Sequence, residues 1–260
     1  MTLSAPPRPV RAFMATVRTQ VALGPGVFEL RFAVPAELPA PEPGQFVHLR
    51  CGHLPLRRPF SVYRATSEIW SILYRVHGEG TRWLARLAPG DEVDVLGPLG
   101  RSFSPPRPGE RLALVGGGVG VAPLARYAET HAGHFEAIVR MGFRSAGDVS
   151  GLEPFEAAGL TTDLYTEDGS TGHEGRVTQD LARDLTGGGV TRVLTCGPTP
   201  MMAAVAAIAR ELDLPCEASL ERPMACGIGI CLACVVPTPG GDTLRSCCEG
   251  PVMDAREVAW

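Results

Sequence analysis

Short apolar and polar runs alternate through the first hundred residues, with turns rich in glycine and proline between them. Three runs show the pattern most clearly: Val27–Phe32, Phe46–Arg50 and Ile69–Val76. Alternation with a period of two is typical of strands that bury one face. Only Thr81–Leu87 reads as a short helix, with Thr81 near its cap. The pattern from about Val10 to Phe103 therefore predicts a small antiparallel β-barrel.

Residues from about Glu110 to Pro215 change character, and continuous apolar runs now alternate with helical segments. The runs that indicate buried strands are Arg111–Val115, Ala137–Met141, Thr162–Thr166 and Arg192–Thr195. The segments that indicate helices are Ala122–His131, Gln179–Leu185 and Met201–Leu212. Strands that alternate with helices predict βαβ units around a parallel sheet. Pro105–Gly109 reads as the linker between the barrel and this second unit.

The predicted fold class is thus α/β plus β, in three units. Residues 1–106 are expected to form the antiparallel barrel, residues 107–215 the parallel α/β domain, and residues 216–260 a small C-terminal unit. The last unit is too short for a core of its own, so we expect a bound metal cluster to stabilise it.

Composition excludes several classes of function. The chain has 260 residues, of which 45% are hydrophobic and 20% charged, as in an ordinary soluble globular protein. Its net charge of −4 gives no electrostatic case for nucleic acid or for an anionic membrane. No apolar run approaches the roughly 20 residues of a membrane span, and the N-terminus lacks the apolar core of a signal peptide. We therefore expect a cytoplasmic protein whose thiols stay reduced.

Four cysteines near the C-terminus follow the spacing C-x4-C-x2-C-x12-C. They are Cys226, Cys231, Cys234 and Cys247. Plant-type [2Fe–2S] proteins use C-x4-C-x2-C with a fourth cysteine further along the chain. Gly227 and Gly229 permit the turns that let a short loop curl around such a cluster. Small apolar neighbours exclude water, and water exclusion together with N–H···S bonds sets the potential of a cluster.

Three other interpretations of these cysteines compete with the cluster. Structural zinc uses two C-x2–4-C pairs, whereas this chain has a tight trio and a distant single cysteine. A disulfide framework requires an oxidising compartment, and unliganded buried cysteines seldom occur as three within nine residues. The spacing favours the [2Fe–2S] cluster over each of them. Since Cys247 and Cys248 are adjacent, the spacing alone leaves the fourth ligand ambiguous.

Two turns in the α/β unit are candidates for binding a dinucleotide. The first turn follows a predicted strand and opens a helix, and its glycines are Gly116, Gly117, Gly118 and Gly120. Backbone N–H groups at such a turn can face a pyrophosphate. The second turn contains Cys196, Gly197 and Pro198 and is expected at the same edge of the sheet. The alternatives are a plain tight turn at the first site and a proline-started helix at the second.

The barrel carries a third candidate, in which a cation, a proline, an aromatic ring and a hydroxyl follow one another. These residues are Arg58, Pro59, Phe60 and Ser61. Arginine can pair with phosphate in bidentate fashion. The stretch Gly78-Glu79-Gly80-Thr81 leads into the short helix and is another possible phosphate site. An exposed strand arginine and a helix-capping threonine are the ordinary explanations of the same residues.

Together these motifs resemble a known family. They run along the chain in the order R-P-F-S, G-G-G-V-G-V-A-P, C-G-P-x-P-M and C-x4-C-x2-C-x12-C. This order is similar to that of the ferredoxin-reductase superfamily, and within it to the electron-transfer subunits of class B dihydroorotate dehydrogenase. Three stretches support the closer resemblance: Met224–Cys234, Cys247–Val252 and Glu167–Ser170.

The resemblance implies the cofactors and the residues that hold them. It implies that FAD is bound by Arg58, Pro59, Phe60, Ser61, Leu73, Tyr74, Arg75, Gly80 and Thr81. It implies a [2Fe–2S] cluster on Cys226, Cys231, Cys234 and Cys247. The family motif C-x-D-G-P-V selects Cys247 over Cys248, and here Glu249 replaces the aspartate. Pro223 is a modest departure from the usual spelling that leaves the ligands unchanged.

The resemblance also implies a function without a catalytic side chain. Electrons would pass between a dihydroorotate-oxidising partner that carries FMN and NAD+, through the cluster and FAD, in pyrimidine biosynthesis. The expected assembly is a heterotetramer with two copies of each chain. Two alternatives stay open: a related reductase subunit that serves ferredoxin-NADP or sulfide/polysulfide chemistry, and a non-catalytic redox sensor. NAD and NADP are not distinguished, since Arg144–Ser145 could meet a 2′-phosphate or form a solvated turn.

Overall fold

The structure is a computed structural model that describes residues 10–260, and it begins with a closed barrel. The N-terminal segment considered above for a signal peptide lies outside the described residues. The strands of the barrel are β1 (Arg11–Gly24), β2 (Val27–Ala33), β3 (Phe46–Leu49), β4 (Arg58–Ala65), β5 (Ile69–Arg75) and β6 (Glu92–Leu99). They close antiparallel in the order β1-β2-β5-β4-β3-β6, so the predicted barrel is confirmed.

The short helix of the barrel, α1 (Glu79–Leu84), lies between β5 and β6. It begins two residues before the predicted start at Thr81 and ends three residues before Leu87. The Thr81 hydroxyl accepts hydrogen bonds from the backbone N–H groups of His77 (2.8 Å) and Gly78 (3.0 Å). Thr81 therefore caps the helix from inside its first turn, and the turn can start earlier than the sequence indicates.

The second unit alternates strands and helices as predicted. Its elements are β7 (Arg111–Gly117), α2 (Val121–Thr130), β8 (Glu136–Phe143), α3 (Glu153–Ala157), β9 (Thr162–Thr166), β10 (His173–Glu174), α4 (Leu181–Gly187), β11 (Arg192–Cys196), α5 (Thr199–Glu211) and β12 (Cys216–Ser219). Strands β7 to β12 pair in parallel, which confirms the predicted parallel α/β domain. Helix α3 and strands β10 and β12 are additions to the predicted set.

The C-terminal segment joins the sheet of the second unit. It contains the hairpin β13 (Val235–Pro237) and β14 (Thr243–Arg245), followed by β15 (Val252–Asp254). The seven-stranded sheet has the order β10-β9-β8-β7-β11-β12-β15, and β15 pairs antiparallel with β12. Val236, Met253 and Val258 are buried in the same core as Val115 and Val205. The segment thus buries its apolar side chains against its neighbour, and the predicted boundary at residue 216 stays a prediction.

Polar contacts join the barrel to the α/β unit. Arg75 at the end of β5 pairs with Asp148 at 2.8 Å, and the Tyr63 hydroxyl donates to Glu153 at 3.1 Å. At the opposite end of the sheet, the buried Arg192 guanidinium donates to the backbone carbonyls of Ser104 (3.2 Å) and Pro105 (3.1 Å). The contacts of Arg75 and Tyr63 fix the barrel strands relative to the edge of the sheet where ligands bind in such folds. Across residues 10–260, no helix is long and apolar enough to cross a membrane.

Candidate functional site

Three of the four candidate cluster cysteines lie on a tightly curled loop. The curl depends on left-handed backbone conformations at Gly227 (φ 74°) and Gly229 (φ 82°). Backbone N–H groups within the loop point at sulfur: Ile228 N and Cys231 N each lie 3.5 Å from Cys226 Sγ. Such donors stabilise a thiolate, which is the form of cysteine that binds iron. The loop therefore fits the sulfur ligands of a cluster.

The fourth cysteine reaches the loop from the other side. The Gly229 N–H donates to Cys247 Sγ at 3.2 Å, across eighteen residues of sequence. Cys234 and Cys247 are both buried and pack together in one apolar cluster. The spacing of the cysteines therefore brings Cys247 to the same place as the trio, as the sequence predicts.

The sulfurs form two contacting pairs, and the pKa values of the thiols reflect this. Burial acts to raise the pKa of Cys226, but backbone N–H donors and the neighbouring Cys231 outweigh it and lower the pKa to about 6. Burial raises the pKa of Cys247, and hydrogen bonds with Cys234 and Cys248 raise it further. Over residues 10–260, no three His, Cys, Asp or Glu side chains are grouped closely enough to hold a metal ion. The arrangement of the four thiols as two pairs agrees with a two-iron cluster, in which each iron takes two of them.

Arg245 clamps the loop beside the cluster cysteines. Its Nη1 donates to the carbonyl of Gly229 at 3.1 Å, and its Nε donates to Glu249 at 3.0 Å. Glu249, the residue that replaces the family's aspartate, thus orients the arginine that fixes the loop. Cys248 Sγ lies 3.7 Å from Cys247 Sγ. A Cβ on Gly229 would come within 2.6 Å of Cys248 Sγ. Sequence reasoning missed Arg245, because its loop contact depends on how the hairpin folds back.

Strand β3 forms the floor beneath the loop. Phe46 packs against Cys234 and Cys247, and His48 is fully buried against Gly227. A Cβ on Gly227 would lie 2.9 Å from the imidazole Cε1, so only glycine fits there. Burial, with the nearby Arg57, lowers the pKa of His48 to about 4. Alternation of apolar and polar residues along β3 predicts one exposed face. This pattern does not predict that a distant segment covers Phe46 and His48.

The candidate flavin residues lie on the neighbouring strand. In the antiparallel pair of β3 and β4, Phe46 is opposite Ser61 and His48 is opposite Pro59. One strand therefore separates the cysteine loop from the R-P-F-S motif. Phe60 lies edge-on against Tyr74, with ring centroids 5.9 Å apart.

The structure brings Arg58 next to Gly80, as expected for two parts of one phosphate site. A Cβ on Gly80 would lie 3.3 Å from Arg58 Cγ. Arg58 Nη1 donates to the backbone carbonyl of Leu56 at 2.7 Å, and among the described residues no carboxylate pairs with it. A guanidinium with no anionic partner fits a phosphate-bearing cofactor such as FAD.

Other candidate flavin residues have structural partners. Leu73 and Tyr74 are buried, and the Tyr74 hydroxyl donates to Gln20 at 2.9 Å inside the barrel. Arg75 forms the ion pair with Asp148 that joins the two units. Thr81 caps α1. Because the side chains of Leu73 and Tyr74 are buried, we expect any contact with FAD to come from their backbone atoms. The flavin roles of Leu73, Tyr74, Arg75 and Thr81 stay predictions.

The two candidate nucleotide turns meet at one edge of the sheet. Gly116 on β7 lies beside Cys196 on β11 in the parallel register. A Cβ on Gly117 would come within 2.7 Å of Met201 Sδ, and one on Gly120 within 2.6 Å of the Cys196 carbonyl. A Cβ on Gly197 would likewise come within 2.9 Å of the Gly117 nitrogen. These glycines are thus required by the close packing of the two turns.

Gly118 differs from the other glycines of the turn. It has a positive φ of 54°, and a Cβ there would meet open space. The space beside its Cα, three residues before α2, therefore holds no protein atoms within 4 Å of that position. Pro198 precedes α5 at the same edge. The dinucleotide role of this edge stays a prediction, with which the open space beside Gly118 agrees.

A closed antiparallel barrel, an α/β domain and a cysteine loop define a class: flavin-dependent reductases with an added iron–sulfur unit. Residues 114–207 match the sequence model of the oxidoreductase NAD-binding domain. Residues 221–259 match that of the iron-sulfur cluster binding domain of dihydroorotate dehydrogenase B. A chain of the NADH-dependent reduced ferredoxin-NADP oxidoreductase structure is similar, with a TM-score of 0.84 and 29% identity over 95% of this chain and 90% of that chain.

Curated relatives narrow the class to one family. The dihydroorotate dehydrogenase B (NAD(+)) electron transfer subunit of Desulforamulus reducens is 34% identical, over 96% of this chain and 99% of the relative. The subunit of Bacillus velezensis is 42% identical, over 84% of this chain and 87% of the relative. The chain belongs to the family of dihydroorotate dehydrogenase B electron transfer subunits, which confirms the resemblance.

The cysteine geometry predicts distinct effects for two adjacent cysteines. Cys247→Ser is expected to abolish the visible absorption of the cluster, because it removes a sulfur ligand. Cys247 Sγ accepts a hydrogen bond from the Gly229 N–H and lies in the same buried cluster as Cys234. Cys248→Ser is the matched control and is expected to keep about two irons and two sulfides per chain. Iron and sulfide analysis after anaerobic purification measures both. Zinc in the wild-type protein, or loss of the cluster in Cys248→Ser alone, would contradict the assignment.

The position of Arg58 predicts weaker flavin binding when its charge is removed. Arg58→Ala is expected to lose about 1.5–3 kcal/mol of FAD binding, which is roughly a ten- to hundredfold higher Kd. Arg82→Ala, on the exposed side of α1, is the control and should leave the Kd unchanged. Flavin release followed by fluorescence titration gives the Kd of both variants. Equal FAD affinity in Arg58→Ala and wild type would place the phosphate elsewhere.

Proposed function

We propose that this chain carries electrons between NAD(H) and the catalytic subunit of a dihydroorotate dehydrogenase in pyrimidine biosynthesis. The observation that carries the proposal is that the cysteine loop covers β3 while the R-P-F-S motif lies on the neighbouring strand β4. The nearly full-length similarity to the electron transfer subunit of Desulforamulus reducens supports the same function.

In the proposed division of labour, residues 1–106 bind FAD, residues 107–215 bind NAD(H), and residues 216–260 hold the [2Fe–2S] cluster. Bound FAD would supply two-electron exchange with nicotinamide and one-electron exchange with the cluster, which a nicotinamide alone cannot provide. The side chains of the protein would hold and orient these groups. Arg58 would anchor a phosphate, and the backbone at Gly118 would face the dinucleotide. Phe46 and the apolar residues around Cys234 would exclude water.

The exposed surface of the cysteine loop supports a docking site for the partner. Ile228, Ile230 and Leu232 are 45%, 75% and 59% exposed, and each lies within two residues of a cluster cysteine. Apolar side chains at the tip of a loop are typical of a protein interface. We propose that an FMN-bearing catalytic subunit covers this tip, with two copies of each chain in the complex. Docking at this tip would bring the FMN of the partner close to the cluster, and it would shield the exposed Cys231 from water.

Ferredoxin-NADP chemistry is the second candidate, because the NADH-dependent reduced ferredoxin-NADP oxidoreductase structure contains a chain of the same fold. The cofactor modules of the two functions are alike, so the partner decides between them. The relatives at 34% and 42% identity favour the dihydroorotate dehydrogenase partner.

Reconstitution with the catalytic subunit tests the proposed function. Wild-type chain with the partner is expected to couple dihydroorotate oxidation to NAD+ reduction, and the chain alone should not oxidise dihydroorotate. Cys231→Ser should lose the coupling by at least a hundredfold, since it removes a cluster ligand, while NADH still bleaches the bound flavin. Cys248→Ser serves as the control with normal coupling. Full coupling by a Cys231→Ser protein that contains no cluster would remove the cluster from the electron path.

The docking proposal predicts an effect of charge at the loop tip. Ile230→Glu is expected to weaken assembly with the catalytic subunit by about 2 kcal/mol or more, because a carboxylate would be buried at the centre of the interface. Val21→Glu, an equally drastic change of an exposed apolar residue on β1, should not alter assembly. Analytical ultracentrifugation of the mixed subunits measures both. Normal assembly of Ile230→Glu would move the interface away from the loop.

A further inference from the structure

His48 is a buried polar side chain without a hydrogen-bond partner. Its relative exposure is 0%, and in the described structure neither Nδ1 nor Nε2 has a partner. A neutral imidazole always has one N–H donor and one acceptor nitrogen. Buried donors of this kind nearly always find a partner, and an exception in a native fold points to an ion or group that completes the site.

The surroundings of His48 indicate where that partner lies. On one side, the ring is tilted against Phe46 with centroids 5.6 Å apart. On another, Cε1, Nδ1 and Nε2 would lie 2.9, 3.0 and 3.3 Å from a Cβ on Gly227. The polar edge of the ring thus faces the backbone between Cys226 and Ile228, where glycine leaves no side chain in the way.

Two other features of the site agree with a partner on the loop side. Phe46, two residues before His48 on the same face of β3, belongs to the same buried cluster as Cys234 and Cys247. Backbone N–H groups of Ile228, Cys231 and Gly229 donate to sulfur from within the loop. The side of the loop that faces the barrel has β3 as its neighbour, because His48 lies against Gly227.

We propose that an imidazole N–H of His48 donates a hydrogen bond to a sulfur atom of the [2Fe–2S] centre held by the cysteine loop. This hydrogen bond would raise the reduction potential of the cluster. His48 would be a positioning residue on the barrel rather than a ligand to iron. The inference rests on the proposed function, because it requires the cluster that the function assigns to these cysteines. A donor to sulfur favours the reduced, more negative cluster and raises its reduction potential.

Pulsed EPR tests the contact directly in the full-length wild-type protein. The chain is produced with 15N in the histidine imidazoles, and the cluster is reduced with dithionite. Nitrogen-hyperfine spectra are expected to show a 15N coupling that disappears in His48→Gln and persists in His131→Gln. His131 is the matched control, because it lies in the α/β unit, edge-on against Tyr127 with ring centroids 4.7 Å apart. A wild-type cluster signal without any 15N coupling would overturn the proposal.

A redox titration tests the consequence of the contact. His48→Leu is expected to lower the equilibrium constant for cluster reduction by about tenfold, which is about 59 mV for a one-electron couple. His48→Gln, which keeps an N–H donor, should recover most of the shift, and His131→Leu should show none. An unchanged potential in His48→Leu with full cluster content would overturn the proposal. If His48→Leu does not assemble, the 15N coupling in the wild type decides.

Failure of this inference differs from failure of the proposed function. A normal [2Fe–2S] EPR signal with no histidine coupling would overturn the role of His48 and leave the function intact. A wild-type chain, purified anaerobically, that gives no such signal would overturn both proposals. A 15N coupling that survives in His48→Gln would assign the contact to another histidine and overturn this one.

Discussion

Strand β3 is packed on both of its faces, and the rest of the site depends on this double burial. Val47 and Leu49 point into the barrel core, whereas Phe46 and His48 lie under the cysteine loop. A strand of four residues with all four side chains buried cannot face water on either side. The cysteine loop covers the outer face of β3, and the spacing of two neighbouring strands therefore sets the distance between the loop and the R-P-F-S motif.

The end of the barrel and the end of the chain lock together at this point. Gly100, just after β6, lies so close to Pro251 that a Cβ would come within 2.5 Å of the proline ring. The Arg101 N–H donates to the Gly250 carbonyl at 2.6 Å. Since Gly250 and Pro251 directly precede β15, the same contact anchors the cysteines to the barrel and the C-terminal strand to the sheet. The three units share one junction rather than meeting through flexible linkers.

The parts of the fold that depend on local patterns were predictable from sequence. Period-two alternation identified the barrel strands, the βα alternation identified the parallel sheet, and cysteine spacing selected a trio and a distant fourth residue that the structure brings together. The spacing could not reveal the pairing of β12 with β15, because that pairing depends on contacts between segments 33 or more residues apart. Nor could alternation distinguish Tyr74, which turns into the barrel, from a residue that faces a ligand.

Long-range covering is the physical reason that the other site residues were missed. His48 and Phe46 are ordinary members of an alternating strand until a loop about 180 positions later packs on them. Arg245 is an ordinary hairpin arginine until Glu249 turns it toward Gly229. In each case a residue acquires its role from the backbone of a distant segment, and a single sequence carries no local pattern for such a contact.

The central claim is the proposal that FAD on the R-P-F-S motif and the cluster on the cysteine loop lie one strand apart, so that electrons would pass between them within this chain alone. Anaerobic mixing of the purified chain with NADH, followed by freezing and EPR, tests it most directly. The account predicts that the signal of the reduced [2Fe–2S] cluster appears together with the bleaching of the flavin, without any partner protein. A flavin bleached by NADH beside a cluster that stays oxidised, although dithionite reduces it in the same sample, would contradict the account.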